Sequence, residues 1–269
     1  MRKRVVLAAV ALGAIIALPG QAVATAAVTL TNVIVTSSQS LERRDFADGV
    51  FYVVTGNRSA GFKVRNLAAP FAGWVERGDI VRIEGILQVE SGSGEACVVT
   101  FGDITVSPFG KGHVRPLFMK TSDLGGQPVH EGSPDERPGV TRPAPRGPHN
   151  KGLLVSVAGE VTHVNHFNRF FYVDDGCGLD DGYGPPGVRV SCDYQDLSLG
   201  QTPISLPGLG DLVAVTGVSS SEVWQGEIIR LVKVRDENDI RIIRPSPLVT
   251  GSDPGAPAAF AAGSGRAFR

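Results

Sequence analysis

The sequence predicts an all-β protein: two five-stranded Greek-key barrels in tandem, placed after an export signal. Three observations predict it. The 269 residues hold 34 Gly and 18 Pro, which favours short strands and many turns over long helices. Two sequence landmarks recur in the same order in the two halves of the chain. The chain opens on a basic head and an apolar run that ends in small residues.

The opening stretch is MRKRVVLAAVALGAIIALPGQAVATA. Arg2, Lys3 and Arg4 precede an apolar run from Val5 to Leu18, a Pro19-Gly20 break and small residues at Ala22, Ala24 and Ala26. That is the pattern of a secretory signal peptide over residues 1–26, and the run is shorter than the ~20 residues that span a bilayer. The expectation is a protein that is secreted or held in the cell envelope, with no integral span once the signal is cleaved.

The repeat is carried by the segments 28–109 and 151–244. Phe51-Tyr52-Val53 followed by Gly61-Phe62-Lys63-Val64-Arg65 matches Phe171-Tyr172-Val173 followed by Gly187-Val188-Arg189-Val190. Gly78-Asp79-Ile80-Val81-Arg82-Ile83-Glu84-Gly85 matches Gly210-Asp211-Leu212-Val213-Ala214-Val215-Thr216-Gly217. The second pattern is a turn feeding a period-two strand that a glycine closes. In the second copy, strands are expected at 153–164 with a bend at Gly159, then at 170–174, 187–192, 211–216 and 228–234. Strand one of the first copy cannot be placed from its pattern.

The run VAGEVTHV…FFYVDDGCG…GVRV…GDLVAVTG…GEIIRLVKVR resembles the OB-fold (oligonucleotide/oligosaccharide-binding) modules found singly or in tandem in exported bacterial proteins. The resemblance covers 151–244 well and 28–109 loosely. It implies a five-stranded barrel and a binding role, and it does not name a ligand. Residues 110–150, rich in Pro, Gly and charge from Gln127 onward, read as a flexible linker. Residues 245–269 read as a disordered tail.

Strand alternation sorts the side chains by face. With Phe171, Val173, Val188 and Val190 inside one barrel, Tyr172 and Arg189 point outward. With Phe51, Val53, Phe62 and Val64 inside the other, Tyr52, Lys63 and Arg65 do so. An aromatic beside a cation on strands two and three suits stacking and neutralising a single strand of nucleic acid, or holding an oligosaccharide. It also suits a plain cross-strand pair. Asn165, His166, Asn168 and Arg169, in the turn before strand two of the second barrel, border that face and are expected ligand contacts. Asp174, Asp175, Asp180 and Asp181 crowd one Gly-rich loop and form a weak calcium candidate without EF-hand spacing. No metal or other cofactor is expected.

Charge weighs against a purely electrostatic nucleic-acid binder. The net charge is −1, and residues 151–244 carry 8 basic and 13 acidic groups, whereas such binders are usually basic. Three cysteines, Cys97, Cys177 and Cys192, are expected as free, buried thiols. Arg77-Gly78-Asp79 spells an adhesion tripeptide, but Leu209-Gly210-Asp211 stands at the matching turn, so turn chemistry accounts for it. No catalytic constellation stands out. The expected function is an exported, non-enzymatic binding protein for single-stranded nucleic acid or another extended polymer. The alternative is a module for envelope polysaccharide or a protein partner.

Overall fold

The computed structural model describes residues 26–247 except 41, 70–72, 132–135, 183, 196 and 198–199. All but the last residue of the expected signal peptide, and the tail beyond residue 247, lie outside the described residues. Thirteen strands are described: β1 (Ala26–Val35), β2 (Val50–Thr55), β3 (Gly61–Asn66), β4 (Asp79–Val89), β5 (Ala96–Thr100), β6 (Ile104–Lys111), β7 (Leu117–Phe118), β8 (Leu154–Asn165), β9 (Phe170–Asp174), β10 (Val188–Ser191), β11 (Leu212–Trp224), β12 (Glu227–Lys233) and β13 (Ile240–Arg244).

The strands form two sheets, each closed on itself. The first runs β1-β2-β3-β5-β4 and closes by pairing β1 with β4; the second runs β8-β9-β10-β12-β11 and closes by pairing β8 with β11. In each ring the third and fifth strands are parallel, β3 with β5 and β10 with β12, and the other ring pairs are antiparallel. A sixth strand extends each ring at the same place, β6 on β4 and β13 on β11. The structure is therefore all-β, with two five-stranded OB-type barrels in tandem.

The shared turn motif explains itself at atomic level. Gly78 and Gly210 take φ of +90° and +81°, a left-handed conformation that only glycine adopts freely. The next residue locks each turn: Asp79 Oδ2 accepts from the Glu76 amide at 2.7 Å, and Asp211 Oδ2 accepts from the Gly208 amide at 2.8 Å. The closing glycine is needed for space instead. A Cβ at Gly85 would lie 2.4 Å from the carbonyl oxygen of Val99, and one at Gly217 would lie 2.6 Å from that of Lys233. Gly159 marks the bend of β8, where a Cβ would lie 2.2 Å from the Asp174 carbonyl oxygen.

The alternation reading of the interiors holds. Val33, Phe51, Val53, Val64, Val81, Ile83 and Val98 fill the first barrel. Val155, Val157, Phe171, Val173, Val188, Val190, Val213 and Val215 fill the second. The strand that the pattern left unplaced is β1. Its register shifts between Leu30 and Val33, and Asn32 there takes φ of +54°. That bulge breaks the period of two by which a strand is recognised.

Two expectations are corrected. Residues 110–150 are no loose connector over their described part. Leu124 and Val140 are buried, the Thr141 amide donates to Ile228 O at 2.8 Å, and the Arg230 guanidinium donates to the carbonyls of Pro143 and Ala144 at 2.9 and 3.0 Å. The proline-rich stretch that suggested looseness instead supplies two carbonyls to a buried arginine. Among the thiols, which are all free, Cys177 is exposed while Cys97 and Cys192 are buried. Burial pushes those two thiols up to about 12, which keeps them protonated and unreactive.

The barrels meet over a wide polar and apolar contact. Phe46, Val50 and Tyr52 of the first cluster with Val218 of the second, with Tyr194 packed alongside. Arg235 donates to Thr36 O at 2.7 Å, and Asp236 receives Arg77 Nη1 at 2.6 Å together with Arg43. Gly61 and Gly152 touch backbone to backbone, so that a Cβ on Gly61 would lie 2.1 Å from the Gly152 carbonyl carbon.

Candidate polymer-binding surface

The outward stripe expected to meet a ligand in the first barrel meets the second barrel instead. Tyr52 is fully buried and Lys63 nearly so. The Tyr52 hydroxyl lies 3.2 Å from Glu95 Oε2 and accepts from Lys233 Nζ at 3.1 Å. Glu95, itself buried, also takes Ser220 Oγ at 2.8 Å and lies 3.2 Å from Lys233 Nζ and 3.5 Å from Lys63 Nζ. Its burial alone would raise its pKa, yet Lys233 and Lys63 hold it below the ordinary carboxylate value. The same network holds Lys63 above its usual value. Only Arg65 of this stripe keeps an open side, at 35% exposure, beside Glu90 at 3.0 Å.

The matching stripe of the second barrel is closed by its own loops. Tyr172 is buried and its hydroxyl donates to the buried Asp181 at 3.1 Å. Burial and Asp181 raise its pKa well above that of a free phenol. Arg189 stacks on Phe170 at 4.0 Å and pairs with Glu222. Tyr52, Lys63, Tyr172 and Arg189 are thus corrected to packing roles in this structure. Outward from a barrel is not the same as outward into water when a second body covers the sheet.

The turn between β8 and β9 does reach solvent, with His166 and Asn168 exposed and Phe167 at 93% exposure. Asn165 Oδ1 accepts the Asn168 amide at 2.8 Å, so its side chain shapes the turn. Arg169 donates to Ile204 O at 2.7 Å. The four aspartates do not converge. Asp174 and Asp175 share a cluster with Cys177 within 4.8 Å, Asp181 has turned to Tyr172, and Asp180 accepts the Gly182 amide at 2.7 Å. Asp175 is taken up by the Thr121 amide and hydroxyl, each at 2.8 Å.

A surface that the sequence reading passed over lies where β6 leaves the first barrel and β7 joins the second. The run Phe109-Gly-Lys-Gly-His-Val-Arg-Pro-Leu-Phe-Met-Lys120 contains no acidic residue. Phe109, Lys111, His113, Arg115, Phe118 and Lys120 are exposed, with the phenyl rings at 91% and 75%. Val114, Leu117 and Met119 turn the other way and pack against the core of the second barrel. Besides the pairing of β6 with β4 and of β7 with β8, the ribbon is held by Gly112 N to Gly78 O at 2.6 Å, Met119 N to Ser156 O at 3.1 Å, and Arg58 Nη1 to Arg115 O at 3.1 Å. The last bond brings a further cation to its side. Lys111 pairs with Glu76 at 2.6 Å, but both are more than half exposed, and such pairs give way readily. Fully extended, these residues span up to ~40 Å. Two exposed rings with cations between them offer base-sized stacking planes and phosphate-neutralising charge together. The alternation was legible in the sequence, but the segment straddles the expected linker boundary and so escaped a strand-by-strand reading.

Fold and surface together define a double OB-barrel protein with an exposed basic-aromatic ribbon. No protein-family model and no curated protein matches the chain. Among solved structures it is similar to a murine DNA-binding protein bound with double-stranded DNA, at 14% identity and a TM-score of 0.33, covering 76% of this chain and 92% of that one. It is also similar to the Ifi202 HINa domain in complex with double-stranded DNA, at 15% identity and a TM-score of 0.31, covering 82% of this chain and 96% of that one. Likeness this distant says nothing about what this chain binds.

Proposed function

We infer that this is an exported, non-enzymatic binding protein that holds a single strand of nucleic acid, or a polymer of similar shape, along residues 109–120. The observation that supports the reading is the ribbon: two nearly bare phenylalanines and four basic side chains, counting Arg58, with no acid in the run. Export rests on the basic head and apolar run of residues 1–26.

The test is anisotropy of a labelled single-stranded oligonucleotide at several salt concentrations, with the native chain and a Phe109→Ala/Phe118→Ala variant. Each lost stack costs about 1–3 kcal/mol, so the variant binds at least about 30-fold more weakly. Four phosphate contacts give a slope of log affinity against log salt of about −3. Binding that ignores both rings and salt would sink the nucleic-acid reading. A second reading, envelope polysaccharide, is favoured by the acidic balance of residues 151–244. It requires glycan binding that is flat in salt and still lost with the two rings.

A further inference from the structure

A second site lies on the first barrel, away from the ribbon. The β1–β2 loop and the exit of β3 enclose a cleft of about 440 Å³ lined by Gln39, Arg44, Asp48, Arg65, Asn66 and Leu67, among others. That volume falls within the usual range for small-molecule sites. Gln39 is fully buried, and neither its Oε1 nor its Nε2 has a hydrogen-bond partner among the described residues. Leaving an amide buried and unmatched is destabilising, and a native fold keeps such a group for a reason. The backbone explains why the residue sits there, since Gln39 and Val75 exchange amide hydrogen bonds at 2.8 and 2.9 Å. It does not explain why the side chain is polar.

We propose that this cleft binds one nucleotide unit, with its base edge on the Gln39 carboxamide and its phosphate beside Arg65. A carboxamide offers a donor and an acceptor side by side, the complement of the N6/N7 edge of adenine. The Arg44 guanidinium, stacked 5.9 Å from the Trp74 ring centre, gives a flat cationic wall, and guanidinium planes stack on aromatic faces. Arg65, at 35% exposure, supplies positive charge at the open side, and the exposed Asp48 can accept a sugar hydroxyl. Gln39 is closed off from bulk water in this structure, so the base reaches it when side chains lining the cleft shift. The proposal extends the nucleic-acid reading to a second place and rests on its nucleotide chemistry, though not on its residues.

The experiment titrates AMP, inorganic phosphate and a 5′-phosphorylated oligoadenylate into the Phe109→Ala/Phe118→Ala variant, in which strand binding along the ribbon is weakened. It then repeats the titrations with Gln39→Leu added. AMP is expected to bind at least about tenfold more tightly than phosphate, and Gln39→Leu to weaken it by about tenfold or more, while the free protein becomes no less stable. AMP binding alone assigns the site to free nucleotides; oligomer binding alone assigns it to a strand end. Binding of neither ligand overturns the proposal, as does binding indifferent to Gln39→Leu. Should Gln39→Leu fail to fold, the Gln39 side-chain amide resonance of the native protein is followed on adding AMP, and an unmoved resonance overturns the proposal equally. Because the ribbon rings are absent throughout, failure here is separate from failure of the ribbon.

Discussion

At the scale of single residues, the molecule's least ordinary feature is how many charges it buries between its barrels. Lys151 is the clearest case, 3% exposed, with Nζ donating to Gly94 O at 2.9 Å, Gly139 O at 3.2 Å and Ser221 Oγ at 3.0 Å. All three acceptors are neutral, so burial lowers its pKa to about 8, with Glu95 pulling the other way. An unfolded lysine titrates near 10.4. Between those values the unfolded chain binds more protons than the folded one, so this site's contribution to stability rises with pH across the window. Comparing the native chain with Lys151→Met by urea unfolding from pH ~7 to ~10 should show the native chain gaining on the variant, by on the order of 2 kcal/mol. Parallel curves would mean that the ammonium is not held in a charge-disfavouring site. The sequence could not show this, because the acceptors come from three segments far from Lys151 in the chain or on the opposing barrel.

At the scale of elements, much of the fold was legible. The Gly-Asp turn, the period-two strand and the closing glycine are local sequence features; the turn maps onto a local cause at Gly78/Asp79 and Gly210/Asp211, and the closing glycines Gly85 and Gly217 onto the close approach of the neighbouring strand. Substituting Ala at Gly217 places a methyl 2.6 Å from the Lys233 carbonyl oxygen and 2.6 Å from Val232 Cγ1. Overpacking of this kind costs about 1–3 kcal/mol. Chemical denaturation should find that loss at Gly217→Ala, whereas Gly226→Ala, where nothing lies within 4 Å but φ is +83°, carries only backbone strain and loses less. β1 was illegible because its bulge breaks the alternation. The binding surface was read onto β2–β3 and β9–β10 because a strand pattern reports inward against outward and carries no term for a second barrel or for a barrel's own covering loops. Tyr52, Lys63, Tyr172 and Arg189 were placed on the right side of their strands and in the wrong medium.

At the scale of the whole molecule, two sheets with matching strand order use their comparable faces differently. The first barrel spends its β2–β3 face on the second barrel. The two proposed ligand sites lie instead on the ribbon that joins them and in the cleft at the end of β3. The contact of Gly61 with Gly152 leaves no room for even a methyl group, and Arg235, Asp236 and Lys233 tie the same seam from the other side. A junction of this kind removes the relative swivel that a tandem pair normally has. In solution both barrels should therefore tumble together. Backbone ¹⁵N relaxation should give one rotational correlation time for amides in β2 and β9, and residual dipolar couplings should fit one alignment tensor. Two separate tensors would mean that the seam opens. If there is one, anything laid along residues 109–120 meets a track of fixed length and direction, and the protein measures its ligand as a ruler would, with no freedom to reel it in.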